Sequence, residues 1–306
     1  MIFRHEYREV TWIDLEQPTE EEIRDTAHEF SIGERLEQEL LSPTPTSLVA
    51  REDEMTLLVL HFPAHSAEDD ATKNQEIDFI VGDHFILTVR YEVVAPLHHL
   101  QKLLETQRLI LKRVALTTDV LLELLFVHLY TSVHDHTNHV VNRLERIEQD
   151  MFDGSERKTI LSILQVSREF LHMEIALADQ EEPLDRFLAA LAERNSFGTS
   201  FLERTERIRT ERIQIARLVE THRAIATELR ETNIALLESR QNEIMKTLTI
   251  ITFSVLPLEL IALIFGMHML GTPLEQNPNA FWIIVAIMFG LVSFMVLFFA
   301  RKRWIF

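Results

Sequence analysis

Seven side chains between residues 242 and 263 recur at alternating steps of three and four: Asn242, Met245, Thr249, Thr252, Leu256, Glu259 and Leu263. On an α-helix they fall within one stripe about 100° wide, while Ile251, Val255, Leu258, Ala262 and Phe265 take the opposite face. An edge that mixes an amide, two hydroxyls and a carboxylate, set in an otherwise apolar run, has the chemistry to line a cation path. Directly after it comes Gly266-Met267-His268, which puts an imidazole at the end of the run. Imidazole suits Zn²⁺, Ni²⁺, Co²⁺ and Cu²⁺, whereas Mg²⁺ dehydrates reluctantly and prefers oxygen ligands. The candidate metal ligands are therefore His268 and Glu259. His136 and His139, three apart on an expected helix, form a second and separate candidate pair.

Glu259 admits two readings. An ionised carboxylate near mid-bilayer costs about 2.5 to 3.5 kcal/mol on insertion scales. It is either a neutral, hydrogen-bonded side chain between helices or one member of a carboxylate ring facing a cation path.

The elements that must position these residues read as follows. Residues 280 to 300 are uncharged, enough to cross a bilayer at the roughly 20 residues required, and Arg301-Lys302-Arg303 follows at once. Residues 247 to 274 carry one formal charge, Glu259, and form a second span entered through Lys246. The connecting loop has no Lys or Arg, so both termini are expected inside and the loop outside. Two spans cannot enclose a pore, but a ring of chains can. Upstream, Ile208, Ile215, Leu218, Ile225, Leu229 and Leu236 make a heptad seam on a helix of about 65 residues, roughly 100 Å long. Such a helix must pack on preceding helices or on copies of itself.

Residues 97–153 and 156–195 read as two amphipathic helices, broken at Asp153-Gly154-Ser155. The first 95 residues read as mixed α and β. Strands are expected around Val10–Leu15, Met55–Phe62, Ile77–Val81 and Phe85–Arg90, with Ser66–Gln75 as a loop. Thr19 followed by Glu20, Glu21 and Glu22 signals a helix start.

The net charge is −18, and residues 246–306 contribute +2, leaving −20 on the first 245 residues. An acidic body attracts cations and repels nucleic acid, which is not expected as a partner. There is no cysteine, and no glycine-rich phosphate loop, G-x-S-x-G or H-E-x-x-H occurs. No nucleophile–base set stands out, so an enzyme is not expected, and no cofactor is expected beyond divalent cations as cargo and as possible regulators. Met1–Val10 is charged, without an apolar leader.

At Asn242-Glu-Ile-Met-Lys-Thr-Leu-Thr249, followed by Pro257 and Phe265-Gly266-Met267, the sequence resembles the CorA/ZntB superfamily of divalent-cation transporters. Trp12-Ile-Asp14 and Phe85–Arg90 are similar to that family as well. The resemblance implies a homopentameric funnel in the cell (inner) membrane: an α/β cytoplasmic domain, a long helical stalk and two transmembrane helices. The expected boundaries are 1–95 for the α/β domain, 96–198 for the helices packed on the stalk and 199–246 for the stalk. The first span then covers 247–269, an outer loop 270–279, the second span 280–300 and a basic tail 301–306. By position, the 242–263 stripe would face the central pore, with Met245 and Leu256 as constrictions that gate by dewetting. Two departures stand out. The family signature is Gly-Met-Asn where this chain has Gly266-Met267-His268, and Glu259 stands at a position that is usually a hydroxyl residue. The resemblance thus implies transport of Zn²⁺ or Mg²⁺, with Co²⁺ or Ni²⁺ as further cargo. The altered signature leaves open a membrane sensor or scaffold that no longer transports.

Overall fold

Thr19 caps the first helix in both directions. Its hydroxyl accepts from the Glu22 N–H at 3.2 Å, and the Glu22 carboxylate accepts from the Thr19 N–H at 2.9 Å. The computed structural model describes residues 1–65, 72–111, 116–152, 156–194, 196–198, 200–266 and 279–301. They divide into two compact units, Met1–Arg230 and Glu231–Phe306.

In the first unit the order is β1 (Ile2–Glu6), β2 (Thr11–Glu16), α1 (Glu20–Glu29), α2 (Glu34–Leu40), β3 (Leu48–Glu52), β4 (Met55–His65), β5 (Thr72–Val81) and β6 (Phe85–Arg90). Then come α3 (Ala95–Leu111), α4 (Thr118–Phe152), α5 (Glu156–Asp179) and α6 (Glu181–Ala192). Among the described residues the sheet has six strands in the order β1-β2-β6-β5-β4-β3, with only β2 and β6 parallel. β6 is buried at every position because both of its faces are covered. On one face Ile13, Leu15, Leu57, Val59, Ile80, Leu87 and Val89 pack with Ile23, Ala27, Leu36 and Leu40 of α1 and α2. On the other face Phe79 stacks on Phe126 of α4 at 5.0 Å, and Phe62 meets Tyr130 at 5.7 Å.

Several expectations change. The segment 66–75 is not all loop: β5 begins at Thr72, opposite His65, because backbone pairing carries its polar start as far as Gln75. The stretch 97–153 is two helices, α3 and α4, and 156–195 is broken at Gln180. Gln180 is wholly buried; its amide donates to the His61 carbonyl at 2.7 Å and accepts from the Tyr130 hydroxyl at 3.0 Å. Those bonds hold the chain where α5 stops, and Pro183 in the first turn of α6 marks the restart.

The last two helices are α7 (Ser200–Gly266) and α8 (Ala280–Arg301). α7 runs from the first unit into the second. Within the first unit its buried stripe is Phe201, Thr205, Ile208, Arg212, Ile215, Val219, Ala226 and Leu229. The expected seam drifts off this stripe: Leu218 is half-buried and Ile225 is 43% exposed. Val219 and Ala226, one position on, are buried in their places, and the stripe also takes in the polar Thr205 and Arg212. Arg212 donates to the Leu177 carbonyl at the end of α5 at 3.1 Å and pairs with Glu181 at 3.0 Å.

Candidate cation path

The second unit contains the last part of α7 and α8. Both α7 and α8 are long and apolar enough, by length and composition, to cross a membrane. From residue 249 to the end of α7 the half-buried side chains are Thr249, Ile250, Ser254, Pro257, Leu258, Ile261 and Phe265; along α8 they are Ile283, Ile284, Met288, Leu291, Val292, Ser293 and Met295, and Phe299 is buried. Apart from Thr249 on α7 and Ile283 and Ser293 on α8, each set falls in one stripe at helical spacing. Pro257 lies inside α7, and its missing N–H leaves the Phe253 carbonyl without the usual donor four residues on.

The seven residues expected on one edge lie on the side of α7 opposite the stripe that runs through Ile250, Ser254, Pro257 and Ile261. Asn242, Thr252 and Glu259 are exposed, and Thr249 is half-buried. Met245, Leu256 and Leu263 are 54%, 58% and 60% exposed. A single chain therefore aligns these side chains along one edge and leaves the edge uncovered; it does not bring them together around a path.

The hydroxyls on this edge have a defined polarity. Thr249 Oγ1 donates to the Met245 carbonyl at 2.7 Å, and Thr252 Oγ1 donates to the Leu248 carbonyl at 2.9 Å. With each proton committed to the helix, the oxygens turn only lone pairs outward. These two hydroxyls accept from water or ligate a cation, and they offer an anion no donor. Glu259 forms no hydrogen bond or ion pair among the described residues, and Ser293 is the only hydroxyl residue along α8. A neutral, hydrogen-bonded Glu259 would thus need a partner from outside the described residues.

Gly266 closes α7. Met267 and His268 lie outside the described residues, as does the loop from 270 to 278. His136 and His139 sit on α4, half-buried and exposed respectively, and line a groove of about 500 Å³ with Phe62, Pro63, Leu129 and Asp135. Among the described residues no group of three or more His, Asp or Glu is arranged to hold a metal ion.

One cluster was not anticipated. Glu76 and Asp78 of β5, His61 of β4 and Tyr91 gather on the α1–α2 side of the sheet. The signal was present in the sequence: Asp78 interrupts the apolar run Ile77–Val81 at a position that alternation points inward.

Comparison with known proteins bears on both units. Residues 7–303 match the family described as CorA-like Mg²⁺ transporter protein. The chain is 22% identical over 307 residues to the cobalt/magnesium transport protein CorA of Methanocaldococcus jannaschii, covering 98% of this chain and 92% of that protein. The complete structure of the CorA magnesium transporter from that organism superposes with a TM-score of 0.83 at 22% identity, over 99% of this chain and 94% of the other. The ZntB cytoplasmic domain from Vibrio parahaemolyticus superposes with a TM-score of 0.62 at 12% identity, over 76% of this chain and 89% of that domain. At these identities the superpositions establish the fold.

Proposed function

We propose that this chain, which belongs to the family of CorA-like Mg²⁺ transporters, passes divalent cations through a pore that five copies build from the 242–263 edge of α7. The observation that carries this reading is the exposure of Thr252 and Glu259 on one edge of an otherwise apolar stretch of α7, an edge that lipid would penalise. A ring of copies turns that edge onto water. The family's activity is transport, not catalysis.

In this reading a cation is filtered at Gly266-Met267-His268, moves past Glu259, and then passes the apolar constrictions Leu256 and Met245. It emerges towards an N-terminal body that carries the chain's excess negative charge. The basic run after α8 and the loop without Lys or Arg favour both termini on the cytoplasmic side of the inner membrane. The name of the archaeal relative supplies Co²⁺ and Mg²⁺ as cargo, and the fold shared with ZntB and the imidazole of His268 bring in Zn²⁺.

The test is flux of Mg²⁺, Co²⁺, Ni²⁺ and Zn²⁺ into proteoliposomes, with His268→Asn alongside the parent. The expected result is saturable flux of at least one ion and a shift towards Mg²⁺ in the variant. An identical ion series in both proteins removes His268 from the selectivity filter. The departure from Gly-Met-Asn favours one second reading, a sensor or scaffold that kept the fold and lost transport. Intact pentamers with no flux of any of the four ions would establish it in place of the first.

A further inference from the structure

Residues 41–47 join α2 to β3, and side chains of two strands hold them. The Thr44 N–H donates to both carboxylate oxygens of Glu76, at 2.7 and 2.9 Å. The Thr44 carbonyl accepts from His61 Nε2 at 2.9 Å, and Ser47 Oγ lies 3.4 Å from Nδ1 of the same ring. Just before the loop, the Leu40 carbonyl lies 3.0 Å from the Tyr91 hydroxyl. His61 and Glu76 face each other across β4 and β5, and Asp78 is two residues further along the same face. All the groups involved belong to the first unit.

Geometry fixes where a proton must sit. The Tyr91 oxygen is 2.9 Å from Asp78 Oδ2 and 3.0 Å from the Leu40 carbonyl. A phenol has one proton, and a carbonyl oxygen only accepts. If Asp78 were a carboxylate, both neighbours would be acceptors and one contact would lack a hydrogen. If Asp78 is protonated, it donates to the Tyr91 oxygen and Tyr91 donates to Leu40, so both contacts are made. Asp78 is wholly buried, and its Oδ1 has no partner. That costs a neutral carboxyl far less than a charged one.

We propose that a proton held on Asp78, together with the charge on His61, latches residues 41–47 to the sheet, so that this loop is a strap that opens as pH rises. Burial first, and then the Glu76 carboxylate beside it, push the Asp78 carboxyl well above its usual range. A hydrogen bond to Glu76 holds the His61 imidazolium above its ordinary value, against the opposing effect of burial. The other charged groups facing the cluster are Glu39 of α2 and Asp179 of α5, both acidic. Both titrating groups therefore bind their protons more tightly with the strap closed than when opened to solvent. Closure is complete below their ordinary values and is lost as pH rises through the raised ones. Past that point Glu76 and Asp78 are adjacent anions beside a neutral imidazole. Hydrating them requires the strap to lift.

The test is hydrogen exchange on the full-length chain in lipid nanodiscs across roughly pH 6 to 9, with rates corrected for intrinsic chemistry. The Thr44 amide is expected to lose protection between the ordinary and the raised values, by about tenfold per pH unit for each proton released, and to level off above them, while the amides of Ile86–Val89 in β6 stay constant. Asp78→Asn, a neutral isostere that still donates to Tyr91, is expected to keep Thr44 protected at low pH and to reduce the slope to the share carried by His61. Infrared difference spectra of the parent provide a readout free of substitution: a protonated-carboxyl band should disappear with the same midpoint as the loss of Thr44 protection. Thr44 protection that is independent of pH, a full slope retained in Asp78→Asn, or no loss of such a band would each overturn the proposal.

Discussion

Arg90 donates from Nε and Nη2 to the single oxygen Oδ2 of Asp14, at 3.1 and 2.8 Å, and both residues are wholly buried. The pair ties β2 to its parallel neighbour β6. Gln101 of α3 adds a donor to the same oxygen at 2.6 Å, and Thr88 fills Oδ1 at 2.6 Å. Arg90 Nη1 also reaches Glu16 at 2.6 Å. Every oxygen of Asp14 is thus satisfied, and removing Asp14 leaves the buried Arg90 with Glu16 as its remaining carboxylate and its Nε without an acceptor. Asp14→Ala is expected to cost about 1 to 3 kcal/mol, because donors of Arg90, Gln101 and Thr88 lose their acceptor while Glu16 still offsets the charge. Loss of exchange protection at Ile86–Val89 checks it; protection equal to the parent would mean that the pair contributes nothing to holding β2 on β6.

Thr252 and Ser254 are two residues apart on α7 and meet different surroundings. Thr252 is exposed and Ser254, about 160° away around the helix on the side opposite the 242–263 edge, is half-buried. Replacing Thr252 with Val removes an outward oxygen and keeps the shape. Cation flux through Thr252→Val should fall about tenfold, a barrier rise of about 1.4 kcal/mol, while Ser254→Ala stays within about twofold of the parent. Equal effects of the two changes would separate the pore from this edge.

Glu259 supplies a titratable oxygen on the same edge. If its proton accompanies the cargo, Glu259→Gln should abolish the pH dependence of uptake and leave the pentamer intact. Flux measured against external pH in both proteins decides this, and an unchanged pH profile in the variant would exclude Glu259 from proton coupling.

The sequence made some of this legible and hid the rest, for identifiable reasons. The uncovered edge of α7 could be read because helical spacing alone sets which side chains share a face, and α8, a uniformly apolar helix, cannot mimic it. The Thr19 cap and the strands around Trp12, Leu58 and Phe85 could be read because their signals are local. β1, β3 and α2 are short, with five to seven residues each, and their ends are set by partners distant in the chain. The break at Gln180 depends on bonds to His61 and Tyr130, which no periodicity reports. Arg212 was missed for the same reason: an arginine that bonds the Leu177 carbonyl of α5 and pairs with Glu181 is at home on a buried stripe, where a hydrophobic count omits it.

His128 on α4 has the opposite pH sign to the strap. Burial first, then the nearby His99 of α3, hold its imidazole below the ordinary value of 6.5, against a hydrogen bond with the Pro96 backbone at the start of α3. The folded contact between α3 and α4 therefore binds fewer protons than the separated helices. Its stability is present above the ordinary histidine value and is lost as pH falls below it, levelling off beneath the depressed one. Exchange at the α3 amides should accelerate, after correction for intrinsic rates, as pH is lowered through about 6.5. His128→Gln, which keeps a donor and cannot take the charge, should remove that acceleration while leaving Thr44 and its strap unchanged. An α3 that loosens equally in the variant would assign the effect to other groups on that helix.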